Sequence, residues 1–256
     1  RDGRTVRAPV VVAADGNSTR LGVAMGRRRD ERRPMGVAVR AYFESPRHDD
    51  PWMESWLELW DGERGASTQL PGYAWVFPMG DGRCNFGRTD YRRLMRAWLA
   101  TTPPQWCFDD AHMIDRIRGA ALPMALNRKP LYANGLLLVG DAGGMVSPFN
   151  GEGIDYSLVD GGSDDGHFVG AAAAERALLG YENHVRRDFG GYHRLGMIFS
   201  RLIGNPRIMH LCTTYGLPRP MLMRFVNKLL ANLTDENDGD AFDRIINTLT
   251  RIAPSA

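Results

Sequence analysis

The 256-residue sequence is short of several things that would declare a class at once. It has three cysteines, Cys84, Cys107 and Cys212, far apart and with no CxxC pair. A disulfide framework and a thiolate zinc site are excluded on that count, and a reducing cytosol suits the scattered thiols. Its six histidines are equally dispersed, and His184 and His193 lack the spacing of metal ligands, so no metal is expected. No apolar run approaches the roughly eighteen residues of a spanning helix, and the opening "RDGRTVRAP" is not a signal peptide. Charge of one sign is not in excess either. The 32 basic side chains face 30 acidic ones, for a net +2, which argues against a wholly basic surface for nucleic acid. What remains is a chain long enough for one large domain or two small ones.

The most informative stretch is "LLLVGDAGGMVSPFNGEGID", residues 136–155. Its apolar start reads as a buried strand, and Asp141 stands just beyond it, at the carboxyl end where open α/β sheets bind ligands. Five glycines follow Val139 before a helix could begin. Glycine in such numbers means positive φ angles, or something packed directly against the backbone. Pro148 fixes the turn, and Gly151 and Gly153 bracket Glu152 at an expected helix start. A second strand, residues 10–14, ends in the same way in Asp15-Gly16, with the Asn17-Ser18 turn and Arg20 beyond. Upstream, Asp2-Gly3 reads as a hairpin turn opening straight into that strand, as if the chain began inside a domain.

Between these strands the pattern changes. "RRRDERR", residues 27–33, reads as a solvated charged loop. Strands are expected over 37–43 and 56–60. "LPGYAWVFPMGDGRCNFG", residues 70–87, alternates as a hairpin with Tyr73, Trp75 and Phe77 on one face. That face is either a core surface or, given the adjoining prolines and glycines, the wall of an apolar pocket. Tyr91, Leu94, Met95, Trp98 and Leu99 mark one amphipathic helix, ended by Pro103-Pro104. From Tyr181 the composition turns helical. Leu195, Ile198, Phe199, Leu202 and Ile203 make one stripe, and Leu222, Phe225, Val226 and Leu229 another, with arginines rimming both. Such stripes serve either as a helical cap on the core or as a face on an anionic membrane.

Taken in order, "VVVAADGNSTR" and "LLLVGDAGGMVSPFNGEGI" resemble the two downstream flavin fingerprints of the large FAD-dependent oxidoreductase family that includes aromatic hydroxylases. "LPGYAWVFPMGDG", "IRGAALPMALNRKPLYANG" and the tail from "LIGNPRIMHLC" onward resemble one branch of it, the geranylgeranyl reductases, including menaquinone-chain reductases. The resemblance implies a mixed α/β fold. A partial FAD-binding Rossmann-like domain would be contributed by residues 1–36 and 126–180, an antiparallel substrate domain by 37–125 and a helical region by 181–256. It implies FAD, with Asp141 on the ribityl chain, Gly143, Gly144, Pro148, Gly151 and Gly153 in the turn after it, and Asp15 and Gly16 on the pyrophosphate side. It implies a polyprenyl lipid against Tyr73, Trp75, Phe77 and Pro78, and saturation of its isoprene double bonds by hydride from reduced flavin. The electrons would come from NAD(P)H or another reductant. The location implied is cytoplasmic, with peripheral contact at the inner face of a membrane.

Two of the departures from the resemblance bear on the cofactor. Flavoproteins of this type open with a GxGxxG turn for the ADP half of FAD, and none is present, so that piece is expected to precede Arg1. "IDYSLVDGGSDDGHF", after Gly153, stands where an uninterrupted small-residue helix would run. Two other functions fit the same residues: an FAD-dependent aromatic monooxygenase, and a non-catalytic prenyl-lipid-binding remnant. No catalytic proton donor is identified by sequence.

Overall fold

A computed structural model describes residues 3–63, 66–70, 72–88, 92–154, 171–235 and 239–253. Tyr91, Pro71 and the glycine-rich and acidic run expected to interrupt a helix after Gly153 lie outside the described residues. In chain order the strands are β1 (Val11–Ala13), β2 (Arg28–Arg29), β3 (Met35–Glu44), β4 (Glu54–Trp56), β5 (Leu59–Trp60) and β6 (Gln69–Leu70). There follow β7 (Ala74–Pro78), β8 (Arg83–Arg88), β9 (Arg118–Pro123), β10 (Arg128–Lys129), β11 (Tyr132–Ala133) and β12 (Leu136–Leu138). The chain divides into two compact units.

The first unit takes Arg1–Met35, Leu122–Met197 and Thr234–Ala256. Its sheet has the order β1-β12-β11. β1 and β12 are parallel, with Val11, Val12 and Ala13 opposite Leu136, Leu137 and Leu138. β11 and β12 form a tight hairpin at Asn134-Gly135, both at positive φ, the backbone such a two-residue turn requires. β1 is the sheet's edge, and Val11 and Val12 are exposed there. Behind the sheet runs the helix Ala171–Ile203, whose residues as far as Met197 belong to this unit. Its small residues mark crossings. A Cβ on Gly196 would lie 2.7 Å from the Pro148 ring, and one on Gly191 the same distance from the Thr250 carbonyl. Thr250 sits on the helix Ala241–Ile252, which opens on a reciprocal Asp240/Asp243 capping box.

Residues 27–33 are solvated as expected at Arg28, Arg29, Glu31 and Arg32, which are exposed, and depart from that expectation at the ends of the run. Arg27 is buried, and its guanidinium donates to the carbonyls of Ala133 and Leu136. Arg28–Arg29 pair with β10, and Arg33 reaches the Met197 sulfur. The physical reason is that a hairpin's outward carbonyls satisfy a guanidinium as well as water does.

The second unit takes Gly36–Ala121 and Ile198–Leu233. Its sheet has the order β4-β7-β8-β3-β9, with antiparallel pairing at β4/β7, β7/β8 and β8/β3. Phe43, Val76, Cys84 and Phe86 point from one face into a core closed by the helix Arg92–Leu99 through Met95, Trp98 and Leu99. The Phe86 and Trp98 rings stack at 4.1 Å, and Phe43 meets Phe86 edge-on at 5.8 Å. Each such ring is worth about 2–3 kcal/mol by burial. The strand expected over 56–60 is instead two strands. Glu58 takes φ 53°, which breaks the extended chain, so β4 joins the main sheet while β5 pairs with β6.

Candidate functional site

Because β1 and β12 are parallel neighbours, the loops that follow them leave from the same sheet end. The structure therefore brings together the Asp15-Gly16 loop and the Asp141 loop, far apart in sequence. Val139 donates its N–H to the Ala13 carbonyl at 3.2 Å, closing the ladder just before Asp141.

Asp15 organises its own loop. Its carboxylate accepts from the Leu21 N–H at 3.1 Å and Thr19 Oγ1 from the Gly22 N–H at 3.3 Å, so both cap the helix Arg20–Ala24. Gly16 has φ +76° with open space around it, so its glycine serves conformation. Beside this loop lies Arg128, which the sequence reading passed over. It is buried, and its guanidinium donates to the Asn17 carbonyl at 3.2 Å while attracted by Asp15. Burial lowers its pKa, and Arg29 nearby adds to the effect. The signal in sequence is faint, a single arginine in "LNRKP".

Asp141 sits in the 3-10 turn Gly140–Gly143. Its carboxyl is half-buried, accepts no hydrogen bond from any described residue, and has its pKa raised by burial. A Cβ at Gly153 would stand 3.0 Å from Asp141 Oδ1, so the glycine keeps the approach to that oxygen clear. Gly151 has φ +76°, a turn conformation. Pro148 is buried against the Gly196 notch. At Gly143 and Gly144 the close approach is made by the protein itself. A Cβ on Gly143 would meet Met145 and Leu131, and one on Gly144 would meet the Asn127 side chain and backbone. Leu126 N–H then bonds the Gly144 carbonyl at 2.7 Å, from a segment where Ala125 and Leu126 both hold positive φ.

In the second unit, Tyr73, Trp75 and Phe77 share one face, as the alternation predicts, with ring centroids 5.8 and 6.1 Å apart in sequence order. It is the face turned away from the buried core, to which Ala74 and Val76 point. The rings are half-buried, and so is Pro78 at the strand's end. Trp75 lies across Gly87, its partner on β8, where any Cβ would overlap the indole. Trp75 Nε1 donates to Asn85 at 3.3 Å.

The first unit thus offers an unserved acceptor beside two turns at the carboxyl ends of parallel strands. That acceptor fits the hydroxyls of a ribityl chain, which would donate to it. No family model matches the chain. It is 30% identical over 96% of its length to the menaquinone reductase of Mycolicibacterium smegmatis, and covers 62% of that protein. It is 29% identical over 77% of its length to digeranylgeranylglycerophospholipid reductase 2 of Methanopyrus kandleri, and covers 52% of it. The chain thus spans about three-fifths or less of the length of the curated relatives it matches. Among solved structures, a geranylgeranyl bacteriochlorophyll reductase-like protein from Thermoplasma acidophilum superposes with TM-score 0.60 at 19% identity, over 97% of this chain and 60% of that one. A flavoprotein/dehydrogenase from Cytophaga hutchinsonii gives 0.63 at 15%, over 95% and 61%. The fold is the mixed α/β fold of these two structures, and the chain is a homologue of the proteins named menaquinone reductase and digeranylgeranylglycerophospholipid reductase.

Proposed function

We propose that the protein is an FAD-dependent oxidoreductase that saturates isoprene double bonds in the side chain of a polyprenyl lipid, of the geranylgeranyl or menaquinone kind. The observation that carries this is Asp141, a half-buried carboxylate with no donor among the described residues, at the end of a strand parallel to the one that leads into Asp15-Gly16. On this reading Asp141 accepts from the ribityl hydroxyls, and Gly153 keeps its oxygen accessible. Arg128 and Asp15 hold the neighbouring loop in shape for the pyrophosphate side, with Gly16 supplying its turn. Gly143, Gly144, Pro148 and Gly151 fix the loop after Asp141. A flavin held there would, once reduced, supply the hydride for one alkene carbon, and a proton delivered from water or an acidic group would complete the other. An isolated alkene is unactivated, so holding it in place and excluding water supply much of the rate. Tyr73, Trp75, Phe77 and Pro78 form the wall for the prenyl chain, on the sheet face opposite the one that Ala74 and Val76 turn to the core. Residues 37–125 thus serve the substrate, 1–36 and 126–180 the cofactor, and 181–256 are helical support. The relatives' names favour a prenyl chain over the aromatic substrate of a monooxygenase.

The test is to incubate the flavin-loaded protein, reduced chemically, with an unsaturated polyprenyl quinone and to follow the substrate by mass spectrometry. Gain of hydrogen in the side chain is expected. Trp75→Ala should raise KM for a long chain severalfold and leave flavin bound, because it removes wall and not cofactor contact. Hydroxylation of an aromatic substrate with no chain saturation would replace this reading with the monooxygenase one.

A further inference from the structure

Between Asp188 and Asp235 the sequence contains no acidic residue, while Arg194, Arg201, Arg207, Arg219, Arg224 and Lys228 all fall within that span. The structure shows where the span comes to the surface. In the second unit the helix Pro206–Leu211 passes into the π-helical turn Cys212–Gly216, and after three intervening residues the helix Pro220–Leu230 starts. The ends of this corner are anchored inward, Met209 at 6% and Leu229 at 0% exposure. Its inner side is pinned by Glu58, whose buried carboxylate takes the Thr213 hydroxyl and lies 3.3 Å from the His210 ring.

The outer side is apolar and open. Leu211, Tyr215, Leu217, Met221 and Leu222 are 54, 60, 45, 74 and 43% exposed, and the residues between them include Cys212, Pro218 and Pro220, exposed as well. Single exposed apolar side chains are ordinary, but a contiguous set at a projecting turn marks a contact surface. The sequence stripes at 195–203 and 222–229 point elsewhere in part, since Leu195 and Leu229 face the protein interior. The exposed set lies at the turn between helices, which no helical periodicity reveals. Arg219, bonded through its guanidinium to the Tyr215 carbonyl, sits amid it, with Arg207 and Arg224 exposed on either side. Cations around leucine, methionine and tyrosine complement an anionic headgroup layer over acyl chains.

We propose that this corner, residues 210–222, is a docking surface for an anionic lipid bilayer, with its apolar side chains seated among the headgroups. It rests on surface chemistry alone and stands whether or not the flavin reading does. Vesicles of phosphatidylcholine, with and without phosphatidylglycerol, are sedimented with the full chain at low and high salt. Binding to the anionic vesicles at low salt is expected, weakened by salt and weak on neutral ones. Leu217→Asp with Met221→Asp should reduce binding at least about tenfold, and Arg219→Gln with Arg224→Gln about fivefold per charge, on anionic vesicles only. Thermal melting and bound-flavin absorbance of both variants should match the parent, since these side chains are exposed. The proposal is overturned if the parent binds both vesicle types alike, or if both variants bind as the parent does. It is overturned too if the parent runs as a dimer that Leu217→Asp with Met221→Asp splits, because the face then belongs to a second copy.

Discussion

On the proposed reading, Asp141 carries a burial cost that its ligand offsets. Burial raises its carboxyl pKa above the ordinary 3.8, and no described residue donates to it. Between that ordinary value and the raised one, the folded chain binds more protons than the unfolded chain, so stability falls as pH rises through the window. Asp141→Asn keeps the shape and removes the charge. Without flavin it should therefore melt higher at neutral pH, and the gain should vanish once pH drops below the ordinary carboxylate range. With flavin the sign reverses, because ribityl hydroxyls lose a charged acceptor worth about 1.5–3 kcal/mol and affinity falls by about ten- to a hundredfold. A substitution that stabilises the empty protein and weakens the filled one is the signature of a residue retained for binding. If thermal scans across pH show Asp141→Asn tracking the parent, the carboxylate is solvated and the argument for its availability fails.

At the scale of elements, what the sequence discloses depends on where each element finds its partners. The two strand-then-aspartate motifs are legible because apolar runs and the Asp-Gly turns after them are local signals, and the parallel pairing of β1 with β12 follows the implied fold. The alternation of Tyr73, Trp75 and Phe77 is legible for the same reason. Glycine is legible only by half. It announces close approach at Gly143 and Gly144, yet which groups approach, Leu131 and Asn127, is decided by tertiary packing. The run 27–33 misleads at its start because Arg27 finds carbonyls more than a hundred residues away, at Ala133 and Leu136. His193 is a similar case on the helix Ala171–Ile203. Its spacing shows a lone histidine, while the fold buries it and pushes its pKa down to about 3, mainly by desolvation and secondarily by Arg33. The unfolded chain then binds the extra proton between about 6.5 and 3, so His193 withdraws stability as pH falls through that window, by at most about 1.4 kcal/mol per unit. His193→Gln should flatten that part of the stability-against-pH curve obtained from urea unfolding. An unchanged slope would mean that the imidazole reaches water.

For the molecule as a whole, the proposed reading has the unit that holds Asp15 and Asp141 serve one half of a dinucleotide. Both carboxylates stand at one sheet end, and Arg128 braces the loop that follows Asp15. Nowhere in residues 1–256 is there a GxGxxG turn, the arrangement that places helix N–H groups and close-packed glycines against the pyrophosphate and adenosine of FAD. These residues should therefore recognise what FAD and FMN share, the isoalloxazine, the ribityl chain and the phosphate joined to it, and be nearly indifferent to the adenosine. Titrating residues 1–256 with each nucleotide and following quenching of flavin fluorescence should give dissociation constants within about tenfold of one another, a difference below about 1.4 kcal/mol. Asp141→Ala should weaken both by the same factor, since the contact it removes is common to both. A preference for FAD of more than about a hundredfold would mean that side chains in this sequence grip the adenosine without the glycine turn. If both nucleotides bind but neither responds to Asp141→Ala, the flavin is held elsewhere than at the end of β12.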